Sequence, residues 1–266
     1  VASDFFALSG TREGKERALQ MYMLDAANGS ENKPLILAKS LQVAKELRDE
    51  KQISLIRAII ESLGIEPAAS RFVVEEAESA YKAGDSTKAF SLSKRVVGRE
   101  SQLRDSKDIA ARARFLQARI LDDEYRSQSV KARVDRIGIV LALKTEKLEK
   151  AQKAYQSAAK MGDNAVAIES FAKLGDLYID YSRTVKAMKL PADVPETDQL
   201  AFAKEIETIA MPMEEKGIEA LSQAVEAART SSRLDGFAGV LQEKLDRLNM
   251  KNESSRKIEV EVLPRL

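Results

Sequence analysis

Apolar residues recur at intervals of three and four along most of the chain, which is the spacing of one face of an α-helix. In the N-terminal part this pattern predicts one helix that ends near Asn28-Gly29, a second over Pro34–Leu47, and a third that closes at Gly64. A glycine or an Asn-Gly pair supplies the left-handed residue that commonly ends a helix. Such short links predict antiparallel neighbouring helices.

From residue 68 onward the same pattern predicts a series of helical hairpins. The first occupies residues 70–97 and turns at Gly84-Asp85. An apolar stripe then continues over residues 130–161, which predicts one overlong helix, and another helix is expected over 165–188. The following segment, Leu190–Pro195, contains two prolines and interrupts the pattern. A bend is expected at Met211-Pro212.

These elements divide the chain into N-terminal helical hairpins over residues 1–67, a repeat array over 68–248 and a C-terminal tail over 249–266. Within the tail, residues 258–262 read Ile-Glu-Val-Glu-Val and alternate with period two. Such alternation is typical of a β-strand. The tail is therefore expected to dock in an extended form on the body or on a partner, or else to be disordered.

The composition agrees with a helical chain. The protein has 266 residues, of which 44% are apolar and 32% charged, and its 12 Gly and 6 Pro are too few for the many hairpins of an all-β protein. No window approaches the roughly 20 apolar residues of a membrane-spanning helix. All-α is therefore the expected fold class.

The chain contains no Cys and no His, which restricts its chemistry. Thiol nucleophiles, Ser-His-Asp triads, and zinc or haem sites built on these residues are excluded. The adjacent acids Asp122-Asp123-Glu124 point in different directions on a helix and do not converge on a cation. We therefore expect a protein that is not an enzyme and holds no cofactor or metal. A carboxylate-based hydrolase stays open, although the sequence singles out no pair of acids for it.

The motif Phe171-x2-Leu174-Gly175-x2-Tyr178 resembles the first-helix signature of a tetratricopeptide repeat (TPR). In that signature the glycine is the point at which the next helix approaches closely. The hairpin at 70–97 is similar, through Ala77, Tyr81, Gly84-Asp85 and Ala89, although Glu76 stands where the family has Leu. Gly217, Leu221 and Ala224 match a second repeat helix that is delayed by an insertion over residues 181–211.

Residues 148–248 as a whole resemble the C-terminal part of TPR proteins from gliding and predatory delta-proteobacteria. Several of those proteins lie in the cell envelope, and some belong to motility machinery. The resemblance is looser over 70–125, and residues 1–65 match only as generic helical hairpins. It implies a right-handed superhelical solenoid of antiparallel hairpins that acts as a protein-binding scaffold, with the periplasm or cell envelope favoured over the cytoplasm.

The resemblance also implies a groove along the first helices of the hairpins, which would hold a peptide or helix of a partner protein. The residues expected to line it are Arg71, Glu78, Tyr81, Lys82, Glu169, Asp176 and Asp180. The last three form an acidic stripe, which favours a basic partner through electrostatic steering. Val74 and Ala172 stand among the positions where some family members carry the Lys, Asn and Arg that clamp a C-terminal carboxylate, so that clamp is absent.

Charge suggests an alternative function. The formal net charge is only +1, yet residues 94–119 are mainly basic and residues 193–226 mainly acidic. Contact between these stretches would make the protein a structural subunit that assembles head-to-tail, so a homo-oligomer is an open possibility. The basic stretch carries no interleaved aromatic residues besides Phe115, so no nucleic-acid partner is expected.

Overall fold

A computed structural model describes residues 2–29, 32–190, 194–231 and 235–262, with the side chains of residues 2, 235 and 251–262 left out. Within these ranges the chain forms eleven α-helices, two short 3₁₀ turns and no β-strand. The helices are α1 (Ala2–Leu8), α2 (Arg12–Ala27), α3 (Lys33–Leu47), α4 (Glu50–Ser62), α5 (Ala68–Lys82), α6 (Ser86–Val97), α7 (Lys107–Ser127), α8 (Ile137–Ala159), α9 (Asn164–Lys186), α10 (Glu196–Arg229) and α11 (Asp235–Val262).

Helices that follow one another in the chain pack against each other, most extensively α9 with α10 and α7 with α8. In addition, α5 contacts α7 and α7 contacts α9, so alternate helices form a second set of contacts. This sequential packing is consistent with an α-solenoid, in which each unit contacts only its neighbours along the array. The predicted all-α fold class is confirmed.

The turns between helices are built as the sequence predicts. Gly29, Gly84 and Gly162 have positive φ angles of 77°, 86° and 84°, a conformation that glycine adopts without a steric penalty. The helices after Gly84 and Gly162 begin with an acidic cap: Asp85 accepts a hydrogen bond from the backbone N–H of Lys88 at 2.9 Å, and Asp163 accepts one from that of Val166 at 2.8 Å.

The apolar core is divided into clusters that follow the chain. Tyr22, Leu37 and Ile56 are buried in the N-terminal cluster, which extends to Phe72 of α5. A central cluster joins α7, α8, α9 and α10 around buried tyrosines, and a C-terminal cluster joins α9, α10 and α11. Among the helices that the structure describes, none combines the length and the apolar content needed to cross a membrane.

The backbones of α9 and α10 approach each other at two facing glycines. A Cβ atom added to Gly175 would lie 2.5 Å from Leu221 Cγ and 3.0 Å from the carbonyl oxygen of Gly217. A Cβ atom on Gly217 would lie 2.7 Å from two carbon atoms of Ile179. Real Cβ atoms essentially never show the distances of 2.5 and 2.7 Å. The close approach expected at Gly175 is therefore confirmed, and its counterpart is Gly217.

The predicted overlong helix at 130–161 is wrong. Helix α8 begins only at Ile137 and has 23 residues, because residues 128–133 form an irregular connection instead. The long helix is α10, whose 34 residues continue through Pro212. Residues on both sides of the proline are buried, among them Ala210 and Gly217, and α10 packs extensively against α9.

Other predicted boundaries also change. Helix α10 begins after Pro195, which occupies its N-cap position. Residues 191–193, which belong to the predicted proline-containing interruption, lie outside the described residues. The strand-like segment 258–262 is helical, since α11 does not end near Leu248 but continues to Val262. With no strand to pair with in the described chain, the backbone satisfies its hydrogen bonds within the helix.

Gly175→Ala tests the glycine crossing. We expect this substitution to lower the free energy of unfolding by about 1–3 kcal/mol, because the new methyl group overlaps Leu221 and the backbone of Gly217. Gly138→Ala is the matched control, since Gly138 lies in the first turn of α8 with no atom within 4 Å of its added Cβ. That control should be neutral or stabilising by up to about 1 kcal/mol. Equal effects of the two substitutions in urea unfolding would contradict the crossing.

Candidate protein-binding groove

A cleft of about 610 Å³ lies between the C-terminal end of α7, the middle of α9 and the first half of α11. We call it the α9/α11 groove. Arg126 lines it from α7, and the side from α9 consists of Asp176, Ile179, Asp180 and Arg183. The side from α11 consists of Val240, Glu243, Lys244, Arg247 and Leu248. The groove therefore combines a few apolar side chains with charged groups of both signs.

A smaller recess of about 290 Å³ adjoins the groove and shares Arg126 and Asp176 with it. We call it the polar recess. Its other lining residues come from α5, α7, α8 and α9, and all carry polar or charged groups: Tyr81, Arg119, Asp122, Asp123, Tyr155 and Lys173. Together the two cavities extend from α5 to α11, over the first helices of successive hairpins.

Polar contacts join α5 to α7 on the side of the polar recess where Tyr81 lies. Glu78 accepts two hydrogen bonds from the Arg112 guanidinium at 3.0 and 2.7 Å. Tyr81 donates its hydroxyl proton to Asp123 at 2.5 Å, and the Arg119 guanidinium lies 4.6 Å from the centre of the Tyr81 ring. These contacts connect the two helices and fix the position of the Tyr81 ring in the polar recess.

Asp122 is a buried carboxylate at the base of the polar recess, with 5% of its surface exposed. It accepts a hydrogen bond from the Tyr155 hydroxyl at 3.1 Å, and Arg126 Nε lies 2.8 Å from its other oxygen. Burial raises the pKa of Asp122, while Arg126 and Tyr155 act in the opposite direction. Asp122 thus joins α7 to α8 and holds the Arg126 side chain.

Arg126 and Tyr125 extend this network to α9. The Tyr125 hydroxyl donates to Asp180 at 3.0 Å, and the Arg126 guanidinium lies 3.6 Å from the same carboxylate. Burial raises the pKa of Tyr125 above its ordinary range, so the hydroxyl stays protonated as a donor. Further along α9, Asp176 is ion-paired with Lys244 of α11. Both acids that α9 contributes to the groove are therefore engaged with basic or donor groups of this chain.

Lys144 stabilises the end of α7 beside the groove. Only 3% of it is exposed, and its ammonium donates to the carbonyl oxygens of Tyr125 at 2.7 Å and Gln128 at 3.1 Å. The ammonium also lies 3.8 Å from the centre of the Tyr125 ring. Burial lowers the pKa of Lys144. A positive charge at these carbonyls complements the negative end of the α7 dipole.

The structure separates the seven predicted groove residues into two groups. Asp176 and Asp180 line the α9/α11 groove, and Tyr81 lines the polar recess. The other four lie outside the lining of both cavities: Arg71 is 3.7 Å from Asp108 of α7, Glu78 holds Arg112, and Lys82 and Glu169 are exposed.

Sequence analysis did not identify the contribution of α7 and α11 to the groove. The apolar spacing of Phe237, Val240 and Leu241 predicts that Val240 belongs to the core stripe of α11, whereas 63% of it is exposed in the groove. Lys144 was not singled out, although its spacing from Leu141 and Leu148 assigns it to the buried stripe of α8. A lysine within an otherwise apolar stripe is therefore the feature of the sequence that could have indicated a buried ammonium group.

The basic stretch at 94–119 makes many of its charge contacts within the chain. Arg99 lies 3.1 Å from Glu66, Arg95 lies 3.7 Å from Glu61, and Arg114 is ion-paired with Glu100. These pairs reduce the charge that the stretch offers to another molecule. On the acidic stretch at 193–226, Glu207 and Glu214 pair with Lys186 of α9, while other carboxylates of α10 are exposed.

Comparison of the chain with protein-family models gave no match, and comparison with curated proteins gave none either. In the part of the chain that the structure describes, no three carboxylates are grouped in a way that could hold a metal ion. The argument for function therefore rests on the geometry of the groove.

Lys144→Met tests the contact at the end of α7. We expect a loss of about 1–3 kcal/mol in the free energy of unfolding, because two carbonyl oxygens lose their buried donor. Lys147→Met, on the same helix, is the control, since Lys147 makes only a 3.4 Å contact with the Glu124 carbonyl oxygen; its effect should stay within about 0.5 kcal/mol. Chemical denaturation measures both variants, and equal stability of Lys144→Met and the unsubstituted protein would contradict the role of Lys144.

Asp122→Asn tests the buried carboxylate through pH. The pKa of Asp122 is raised in the folded chain above its ordinary value of 3.8, so between the two pKa values the folded state binds more protons than the unfolded state. The contribution of Asp122 to the free energy of unfolding therefore falls as pH rises through that window. The asparagine variant has no such titration, so its stability relative to the unsubstituted protein should increase as pH rises above 3.8. Urea unfolding measures the stability of both proteins. If the difference in stability between Asp122→Asn and the unsubstituted protein does not change with pH, the raised pKa of Asp122 is contradicted.

Proposed function

We propose that this protein is a non-enzymatic interaction scaffold that holds a peptide segment or helix of a partner protein in the α9/α11 groove. Val240 is the observation that carries the proposal, because an aliphatic side chain that is 63% exposed forms one wall of a 610 Å³ cleft. Ile179 and Leu248 also line the cleft, with 6% and 7% of their surfaces exposed. An apolar anchor surrounded by charged groups is the arrangement typical of peptide-binding grooves.

The charges around the groove support a partner segment of mixed charge. A basic partner was expected from the acidic stripe, but Asp176 is paired with Lys244, and Asp180 accepts from Tyr125 and lies near Arg126. A lysine or arginine of a partner would have to displace these contacts. Arg183 and Arg247 also line the groove, and Arg247 lies 3.6 Å from Glu243 on the same helix. Arg183 in particular favours an acidic side chain next to the apolar anchor.

The proposal includes a TPR-type architecture with a right-handed superhelix. It is supported by the glycine crossing between α9 and α10, and by the direct contacts of α5 with α7 and of α7 with α9. In such an array the first helices form the binding surface, and α5, α7 and α9 all contribute to the groove or the recess, to which α8 adds Tyr155. A location in the bacterial envelope or in a motility-type assembly rests on the sequence resemblance alone.

Selection of peptides on the purified protein tests the groove. A phage-displayed library of random peptides is selected, and the affinity of the recovered peptides is measured by fluorescence polarisation. Val240→Glu should weaken binding by about tenfold or more, because the apolar anchor would face a carboxylate. Leu24→Glu is the matched control, since Leu24 is a similarly exposed aliphatic residue in a second, separate cleft between α2 and α4.

Peptides whose affinity falls with Leu24→Glu and not with Val240→Glu would overturn the assignment of the binding site to the α9/α11 groove. Thermal unfolding of both variants shows whether each is folded at the temperature of the binding measurement. Because Val240 and Leu24 are both exposed, we expect little change in stability from either substitution.

A further inference from the structure

Helix α10 is interrupted by a proline, and its two halves are buried to different extents. Pro212 has no backbone N–H, so the carbonyl group of Thr208 lacks the donor that a continuous helix would supply. We call residues 196–211 the first half of α10 and residues 213–229 its second half. In the first half, Ile206 and Ala210 are buried. In the second half, six residues are buried: Gly217, Ala220, Leu221, Ala224, Val225 and Ala228.

The first half of α10 makes few apolar contacts. Ile206 belongs to the central cluster, whereas Phe202 and Ile209 are only partly buried against it and Leu200 is 65% exposed. The second half packs at the glycine crossing and contributes to the C-terminal cluster. A segment with few buried apolar contacts opens at a lower cost in free energy than the core of a protein. The first half therefore depends more than the second on any further contact with α9.

Lys186, the last residue of α9, makes such a contact on both sides of the proline. Its ammonium lies 3.3 Å from a carboxylate oxygen of Glu207 in the first half and donates to Glu214 in the second half at 2.8 Å. The two glutamates are seven residues apart, which is about two turns, so they lie on the same side of α10. Within the described part of the chain, no other side-chain hydrogen bond or ion pair joins the first half to another helix.

The two carboxylates keep Lys186 charged. Burial lowers the pKa of Lys186, but Glu214 and Glu207 act in the opposite direction and leave this pKa above its ordinary value. The ammonium group is therefore available to pair with both glutamates. Because Lys186 lies in the last turn of α9, its charge also complements the negative end of the α9 dipole.

We propose that Lys186 fastens the two halves of α10 across Pro212, and that the first half opens as a separate unit when this contact is lost. Pro212 marks the boundary of the unit, because the helix lacks a backbone hydrogen bond there. Opening exposes Phe202, Ile206 and Ile209 together with the apolar surface of the central cluster that they cover. None of these residues lines the α9/α11 groove, so the proposal does not depend on peptide binding.

Hydrogen–deuterium exchange of the purified chain, followed by mass spectrometry, tests the proposal. In the unsubstituted protein, the amides of the first half should exchange about tenfold or more faster than those of the second half, after correction for intrinsic rates. Lys186→Met should accelerate exchange in the first half by about three- to tenfold, because two partly exposed ion pairs are lost. Lys189→Met is the matched control, since Lys189 is exposed and forms no ion pair with a described residue. Its effect should stay within about twofold.

Two further variants test whether the first half opens by itself. Pro212→Ala restores the missing backbone donor at an exposed position, and it should slow exchange in the first half because opening then has to interrupt a continuous helix. Ile56→Val removes a methyl group from the N-terminal cluster, which shares no residue with α10. It should leave exchange in the first half unchanged, because local opening does not involve that cluster.

Four results would overturn the proposal. Equal protection of the two halves, or unchanged exchange in Pro212→Ala, would show that the proline marks no boundary. If Lys186→Met accelerates exchange no more than Lys189→Met, then Lys186 does not fasten the helix. If Ile56→Val accelerates exchange in the first half as much as Lys186→Met does, the first half opens only when the whole protein unfolds.

Discussion

The close crossing of α9 and α10 at Gly175 and Gly217 is the constraint on which the α9/α11 groove depends. Because neither position has room for a Cβ atom, the two helices pack at backbone distance over this turn. Asp176 follows Gly175 directly in the chain, and Ile179 and Asp180 come one turn later on the side that lines the groove. Residues of α9 and α10 also form the apolar cluster on which α11 packs. The crossing thereby positions two of the three helices that form the groove.

A network of tyrosines, acids and basic residues fixes the third helix, α7. Arg126 lies between two carboxylates, Asp122 on its own helix and Asp180 on α9, while Lys144 from α8 holds the last carbonyl groups of α7. A buried polar group that loses its partner costs more than its hydrogen bond contributes when formed. The network therefore specifies one arrangement of α7, α8 and α9, and within the groove it leaves Asp180 already paired.

Much of the fold could be predicted from the sequence because it follows from local rules. Helical periodicity and the glycine turns give the hairpins, and a repeat signature indicates Gly175 as a point of close approach. The features that these local rules do not predict depend on packing between residues that are distant in the chain. Pro212 is an internal residue of α10 because α9 supports both sides of it, and residues 258–262 are helical although they alternate in sequence.

The site was only partly predictable, since a groove between helices depends on residues distant in the chain. The exposed stripe of α9 indicated Asp176 and Asp180, but α9 alone does not show that Lys244 and Arg126 neutralise them. Nor does the apolar pattern of α11 distinguish Val240, which is exposed, from Leu241, which is buried.

Site-specific photo-crosslinking in cells that produce the protein tests most directly whether the groove holds a partner. A photoreactive amino acid replaces Val240 in the groove or Asp246, an exposed residue of the same helix outside it. The account predicts that one recurrent segment of another protein attaches at position 240 and not at position 246. The same adducts at both positions, or none at position 240, would contradict it.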